Sequence, residues 1–174
     1  FEASSIVRIT GDCPLIDSEV VDKVITLYQH EKVDYASNID PPTFPDGLDV
    51  EVFSFESLKY ANENASKVHD REHVTPFIRG NKKFKKANLF NSKDISNERW
   101  TIDNPEDFTV IKKIVNYFNP NIHFKLDQVL NLKKDRPYFF EANKNTQRNI
   151  GSKIGEGQKL YKRAKTIIPG GTML

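Results

Sequence analysis

The chain has 174 residues and a formal net charge of +2, with 26 Lys and Arg against 24 Asp and Glu. That length suits one α/β domain of ordinary size plus a tail, and the interspersed charge gives no case for a nucleic-acid surface. One cysteine excludes an internal disulfide framework and a multi-cysteine metal site, and no apolar run approaches the roughly 20 residues of a membrane helix. Aromatic residues at 11% can supply a real core. With no membrane segment or signal peptide visible, a cytoplasmic setting is expected, with neither nucleic acid nor membrane as a partner.

Ser5-Ile6-Val7-Arg8-Ile9-Thr10 reads as a strand that stops at Gly11. Asp17 or Ser18 caps a helix whose Val20, Val21, Val24, Leu27 and Tyr28 share one face. Residues 33–36 predict a strand leading into a loop at 40–47, where Pro41, Pro42, Pro45 and Gly47 force an irregular path. Residues 49–53 alternate as a strand, and a helix then runs towards Ala65. A second helix is predicted from about Asp70, carrying Glu72, His73, Val74 and Ile78, and 84–90 alternates as a strand. Residues 99–102 read as a short strand ending at Asp103. The next helix is clearly signalled, with Asn104 as N-cap, Pro105 in the first turn, and Glu106 and Asp107 at the positive end. Phe108, Ile111, Val115 and Phe118 are its expected buried stripe, and 126–132 is a last short helix.

Residues 141–156 are polar, lack an apolar period and read as a linker. Residues 158–168 are the basic, amphipathic start of something else. The chain opens at Phe1 directly ahead of a strand and stops in a turn at Pro169-Gly170-Gly171 with no closing helix. Both ends look cut, so a fragment is expected.

Asp12 and Asp103 occupy equivalent positions, each just beyond a predicted strand. Open α/β sheets bind ligands beyond the carboxyl ends of their strands. Two carboxylates converging there suit Mg²⁺, which is held by one or two carboxylates plus substrate phosphates. Gly11 allows a ligand close to the backbone, and Pro14 and Pro105 stiffen the two turns. Each aspartate taken alone is equally well read as a turn residue capping its own loop.

Five segments together carry a resemblance. They are Val7-Arg8-Ile9-Thr10-Gly11-Asp12-Cys13-Pro14-Leu15-Ile16-Asp17, Asp34-Tyr35-Ala36-Ser37-Asn38, Pro45-Asp46-Gly47-Leu48-Asp49-Val50-Glu51-Val52-Phe53, Asp70-Arg71-Glu72-His73-Val74-Thr75-Pro76, and Arg99-Trp100-Thr101-Ile102-Asp103-Asn104-Pro105-Glu106-Asp107. In this order they resemble sugar cytidylyltransferases of the spore-coat-polysaccharide type, relatives of the acylneuraminate enzymes. The resemblance implies a Rossmann-like, GT-A-like α/β nucleotidyltransferase domain with a mixed sheet over 1–140, its first strands upstream of Phe1. It implies transfer of CMP from CTP to a sugar or sugar-acid hydroxyl with loss of pyrophosphate. Asp12 and Asp103 would be the catalytic residues and would hold Mg²⁺. Asn38, Asp46, Asp49, Arg71, Glu72 and His73 would line the sugar side, and a homodimer is implied.

The family's glycine-rich loop, with its Arg and Lys for the nucleotide, has no match here. Gly151, Gly155 and Gly157 read as flexible spacer. The chain alone is therefore not expected to catalyse the reaction. The tail from Gly157-Gln158-Lys159-Leu160-Tyr161 to Ile168-Pro169-Gly170-Gly171 resembles the opening of class III aminotransferases similar to glutamate-1-semialdehyde aminomutase. It implies a fusion in which pyridoxal phosphate belongs to the downstream domain. The alternative to catalysis is a nucleotidyltransferase-like module kept for dimerisation or as a scaffold. Cys13 and Trp100 read as packing residues. His73 is read either as a substrate contact or as a bridge between helices.

Overall fold

Four short strands, β1 (Ser5–Arg8), β2 (Tyr35–Ser37), β3 (Glu51–Ser54) and β4 (Lys86–Asn88), form one sheet in the order β1-β3-β2-β4. β3 runs antiparallel to both neighbours, while β2 and β4 are parallel. The helices are α1 (Ser18–Glu31), α2 (Phe55–Asn64), α3 (Val68–Glu72), α4 (Pro76–Gly80), α5 (Pro105–Phe118) and α6 (Leu126–Asp135), followed by a 3-10 turn at Pro137–Phe140. This is the mixed α/β sheet expected from the sequence. The computed structural model describes residues 3–146 and Arg148. The chain divides into units Phe1–Lys144 and Asn145–Leu174, and the architecture here is that of the first. The aminotransferase-like stretch from Gly157 lies outside the described residues.

Successive strand side chains point to opposite faces, so the sheet acquires two apolar coats. Ala36 and Val52, opposite in register, join one cluster with Val20 and Val24 of α1, Val110, Ile111 and Ile114 of α5, and Val129 and Leu132 of α6. Tyr35 and Phe53, also opposite, stack with ring centroids 6.4 Å apart. They begin the second coat with Ala61 of α2, Ile78 of α4 and Phe84. Full burial of a large apolar side chain contributes about 1.5–3 kcal/mol.

Local chemistry fixes the helix starts. Asp17 Oδ1 accepts the Glu19 N–H at 2.8 Å and Oδ2 accepts the Leu126 N–H at 2.7 Å, so one buried carboxylate caps both α1 and α6. Asn104 accepts the Asp107 N–H at 3.0 Å, with Pro105 in the first turn of α5.

Four local expectations are corrected. The buried stripe of α5 is Asp107, Val110, Ile111 and Ile114, while Phe108 and Val115 are exposed. Asp107 is drawn inward by ion pairing, and this sets the helix's rotation. The single helix expected beyond Asp70 is two, because Pro76 cannot continue a helix and Val74 adopts a left-handed φ of 67°. Residues 99–102 form no ladder: Arg99 makes one parallel bridge to Asp46, and the Ile102 N–H goes instead to Asp12. Asn143, inside the expected linker, is buried and bonded to Arg99 and Asp107.

Candidate active site at the strand ends

The register places Arg8, Glu51, Ser37 and Asn88 side by side, so the ends of β1, β2 and β4 and the start of β3 share one edge. Asp12 follows β1 at this edge. Its carbonyl accepts the Ile102 N–H at 2.9 Å and the Thr101 hydroxyl at 3.0 Å. The loop carrying Asp12 is thus tied to the residue immediately before Asp103. Both aspartates are exposed.

Arg99 organises the buried side of this corner. Its Nε and Nη2 donate to the two carboxylate oxygens of Asp107 at 2.9 and 2.8 Å, Nη1 donates to Asp46 Oδ2 at 2.8 Å, and Nη2 also donates to Asp103 Oδ2 at 2.6 Å. Bidentate guanidinium–carboxylate pairing is among the strongest hydrogen bonding available to side chains. Asn143 Nδ2 adds a bond to Asp107 Oδ1 at 2.8 Å, and the Asp103 N–H donates to Oδ2 at 3.1 Å. Burial alone would raise the pKa of Asp107. The bonds from Arg99, Asn143 and the Asp103 backbone outweigh it and hold the carboxyl below its usual range. Burial likewise works against the Arg99 charge, but Asp107 and Asp103 keep the guanidinium protonated beyond its ordinary range.

Three carboxylates around one guanidinium leave this corner negative. Asp103 Oδ2 is fixed by Arg99, whereas Oδ1 has no hydrogen-bond partner among the described residues. Asp12 Oδ1 accepts the Cys13 thiol, at 3.6 Å. Burial pushes that thiol up to about 12, despite its bond with Thr10, so Cys13 is a neutral packing group. Among the described residues no group of three His, Cys, Asp or Glu forms a metal cage. The negative charge and the two exposed carboxylates do fit Mg²⁺, which needs only one or two protein carboxylates. Clefts of about 350 and 290 Å³ lie elsewhere, lined by Lys59, Tyr60 and Lys83 and by Asp17, Lys125 and Leu130.

The other expected site residues separate into groups. Asn38 is fully buried, its Nδ2 donating to the Leu48 carbonyl at 2.7 Å and its Oδ1 accepting the Val50 N–H at 2.9 Å. It closes the long loop onto β3. Asp46 is buried against Arg99. Asp49 stays half-exposed, and its charge is felt at Cys13, so it belongs to the Asp12 corner. Arg71 caps the end of α2 through the Asn62 and Ala65 carbonyls, and the His73 ring lies 4.6 Å from that of His69. Glu72 is exposed beside them at the end of α3.

Sequence reasoning missed Arg99, Asp107 and Asn143 as site residues. A usable signal existed in a basic residue beside buried Trp100, with acids four and eight positions later. Gly47 was read only as a loop breaker. Its φ is +108°, and a Cβ there would lie 2.5 Å from the Trp100 carbonyl carbon.

A mixed sheet with carboxylates grouped beyond its strand ends defines an α/β protein of the kind that binds ligands at that crevice. Residues 1–150 match the cytidylyltransferase family, and the chain belongs to it. A curated relative, an uncharacterized protein of Methanocaldococcus jannaschii, is 31% identical over 159 residues, covering 90% of this chain and 64% of the relative. A solved structure titled as a cytidylyltransferase from Leptospira borgpetersenii serovar Hardjo-bovis is also 31% identical, with a TM-score of 0.75. That match covers 83% of this chain and 60% of the other. The chain therefore spans somewhat under two thirds of the relatives it matches. Among the described residues no helix is long and apolar enough to cross a membrane.

Proposed function

We propose that the chain supplies the metal-binding edge of an enzyme that transfers CMP from CTP to a sugar or sugar-acid hydroxyl. The observation that carries this reading is the Asp12 carbonyl bonded to the Ile102 N–H, which joins the two carboxylate loops at the strand-end edge. Membership of the cytidylyltransferase family supports the choice of reaction.

In the reaction, the acceptor hydroxyl oxygen bonds to the α-phosphorus of CTP as its proton passes to solvent. The bond from that phosphorus to the α–β bridging oxygen breaks, and pyrophosphate departs with that oxygen. Asp12 and Asp103 would hold Mg²⁺, which when bound supplies positive charge against the phosphates. Arg99 fixes one oxygen of Asp103, and the other would be left for the metal. Such a preset carboxylate needs no reorganisation when ligand arrives, which is how positioned charge assists phosphate chemistry. Asp49, beside the same corner, completes the negative field on the acceptor side. The resemblance further supports a homodimer, a sugar-side role for Arg71, Glu72 and His73, and a downstream pyridoxal-phosphate aminotransferase domain.

Two measurements test the reading. Calorimetric titration of the chain with Mg²⁺ should show binding that Asp12→Asn and Asp103→Asn each remove. Pyrophosphate release from CTP, assayed in the full-length protein over a panel of hexoses and sugar acids, should fall at least about 100-fold in either variant, a loss typical of removing a group that stabilises the transition state. Mg²⁺ binding and turnover indifferent to both substitutions would sink the reading and leave the scaffold alternative.

A further inference from the structure

The short helix α3 carries a pair of histidines that nothing in the transfer reaction requires. His69 lies within it and His73 is its C-cap. The His73 N–H donates to the His69 carbonyl at 3.0 Å, so helical spacing holds through the second histidine. Residues four apart on a helix stand one above the other on one face. The two imidazole rings accordingly lie side by side, their centroids 4.6 Å apart and their planes tilted by 59°. His69 is exposed and His73 half-buried. Among the described residues, no ring nitrogen of either is hydrogen-bonded to the protein.

Two histidines at this spacing on one helix face are the arrangement that binds zinc in helical metal sites. With Zn–N bonds of about 2.0–2.1 Å, the centres of two imidazoles on one metal fall about 4.5–5.2 Å apart. The observed separation lies inside that interval, whereas rings that merely pack range out to about 7 Å. The backbone beyond His73 turns sharply. The Thr75 N–H donates to the His73 carbonyl at 2.8 Å, and Val74 adopts its left-handed φ of 67°. A β-branched residue avoids that region, and strain of this kind accompanies ligand clamps. Asp70 and Glu72 stand between the histidines in sequence, while Arg71 is committed to the Asn62 and Ala65 carbonyls. Imidazole nitrogen suits Zn²⁺, Ni²⁺ and Cu²⁺, whereas Mg²⁺ takes oxygen.

We propose that His69 and His73 form a chelate for a divalent cation of the Zn²⁺ class, separate from the carboxylate corner. Two protein ligands are fewer than the three or four of resident zinc sites, so water completes the coordination and the metal exchanges with solvent. Bound there, it staples one turn of a five-residue helix, a length that is not stable by itself. Because Arg71 of α3 closes the end of α2, the staple also steadies that junction. The chelate does not depend on the transfer reading. One nitrogen of His73 goes to the metal, and the other stays available as a donor.

Long-range proton–nitrogen NMR of the imidazole rings, recorded on the untagged full chain in metal-free buffer, tests the site. The chain has four histidines, so His30 and His123 serve as internal controls. Zn²⁺ up to one equivalent should shift the His69 and His73 nitrogens together, leave His30 and His123 in place, and raise the thermal midpoint. Mg²⁺ should move none of the four. His69→Ala should remove the His73 response and weaken Zn²⁺ binding at least about tenfold, since losing even a group that supports a metal ligand costs about 10–100-fold. Its metal-free melting midpoint should be unchanged, because the exposed ring bonds no protein group. Asp12→Asn and Asp103→Asn should leave the Zn²⁺ response intact. Equal shifts of all four histidines, separate titration of His69 and His73, or no response would overturn the chelate. So would a His73 response that survives His69→Ala or is lost in Asp12→Asn.

Discussion

Arg99 and Gly47 are the two residues on which the shape of the candidate site depends most directly. Removing the Arg99 guanidinium strands Asp107, which is fully buried. Breaking such a pair from one side costs about 3–5 kcal/mol. Arg99→Met should therefore lower the urea midpoint by that equivalent, and Arg99→Lys should recover only part, since an ammonium cannot span both Asp107 oxygens. At Gly47, the positive φ and the backbone of Trp100 both oppose a side chain. Gly47→Ala should cost about 1–3 kcal/mol, read as a lower thermal midpoint. These positions were unevenly legible in the sequence. Asp12 was legible as a carboxylate past β1. Residues 99–102 form no ladder, and Asp103 is instead brought to that corner by the bond from the Ile102 N–H to the Asp12 carbonyl. Arg99 was not legible, because a basic residue ahead of Trp100 looks like a solvated flank until the bonds it donates to three carboxylates are seen.

Among the elements, α1 and α6 share a single capping carboxylate. Loss of one N-cap typically costs about 1 kcal/mol, so Asp17→Ala should cost about 2 kcal/mol. Asp17→Asn should keep one cap, because an amide retains a single acceptor oxygen; chemical denaturation of the two variants separates the cases. Both helices were visible in the apolar spacing, and Asp17 was recognised as a candidate cap for α1. Its bond to the Leu126 N–H joins residues 109 positions apart, and no local pattern carries such information. The rotation of α5 was misread for a related reason. Phe108 and Val115 are apolar and periodic, yet the inward face carries the charged Asp107, held by Arg99 and by Asn143, 36 positions away. The break at Val74 had a local signal in Pro76, which a helix drawn through Ile78 overrode.

For the whole molecule, the sheet separates two apolar coats, and Tyr35 belongs to the smaller one while bonding Glu51. Burial and the Glu51 charge raise its pKa, so the folded state holds the phenolic proton more tightly than the unfolded chain. The resulting stability is complete below the ordinary tyrosine value near 10 and is lost as pH rises beyond it. Thermal midpoints should therefore decline steeply above about pH 10, and Tyr35→Phe should flatten that decline. The α/β class and most element positions were legible because the strands and helices keep their own periods. The polar row across the strands was not, since register depends on which strands meet, and Arg8 and Glu51 lie 43 residues apart. A different consequence follows from the shared guanidinium of Arg99. Asp46, Asp103, Asp107 and Asn143 all converge on it or its partner, so substitutions among them should be epistatic, with couplings of about 0.5–3 kcal/mol. A library that varied these positions one at a time would discard combinations that are viable only together.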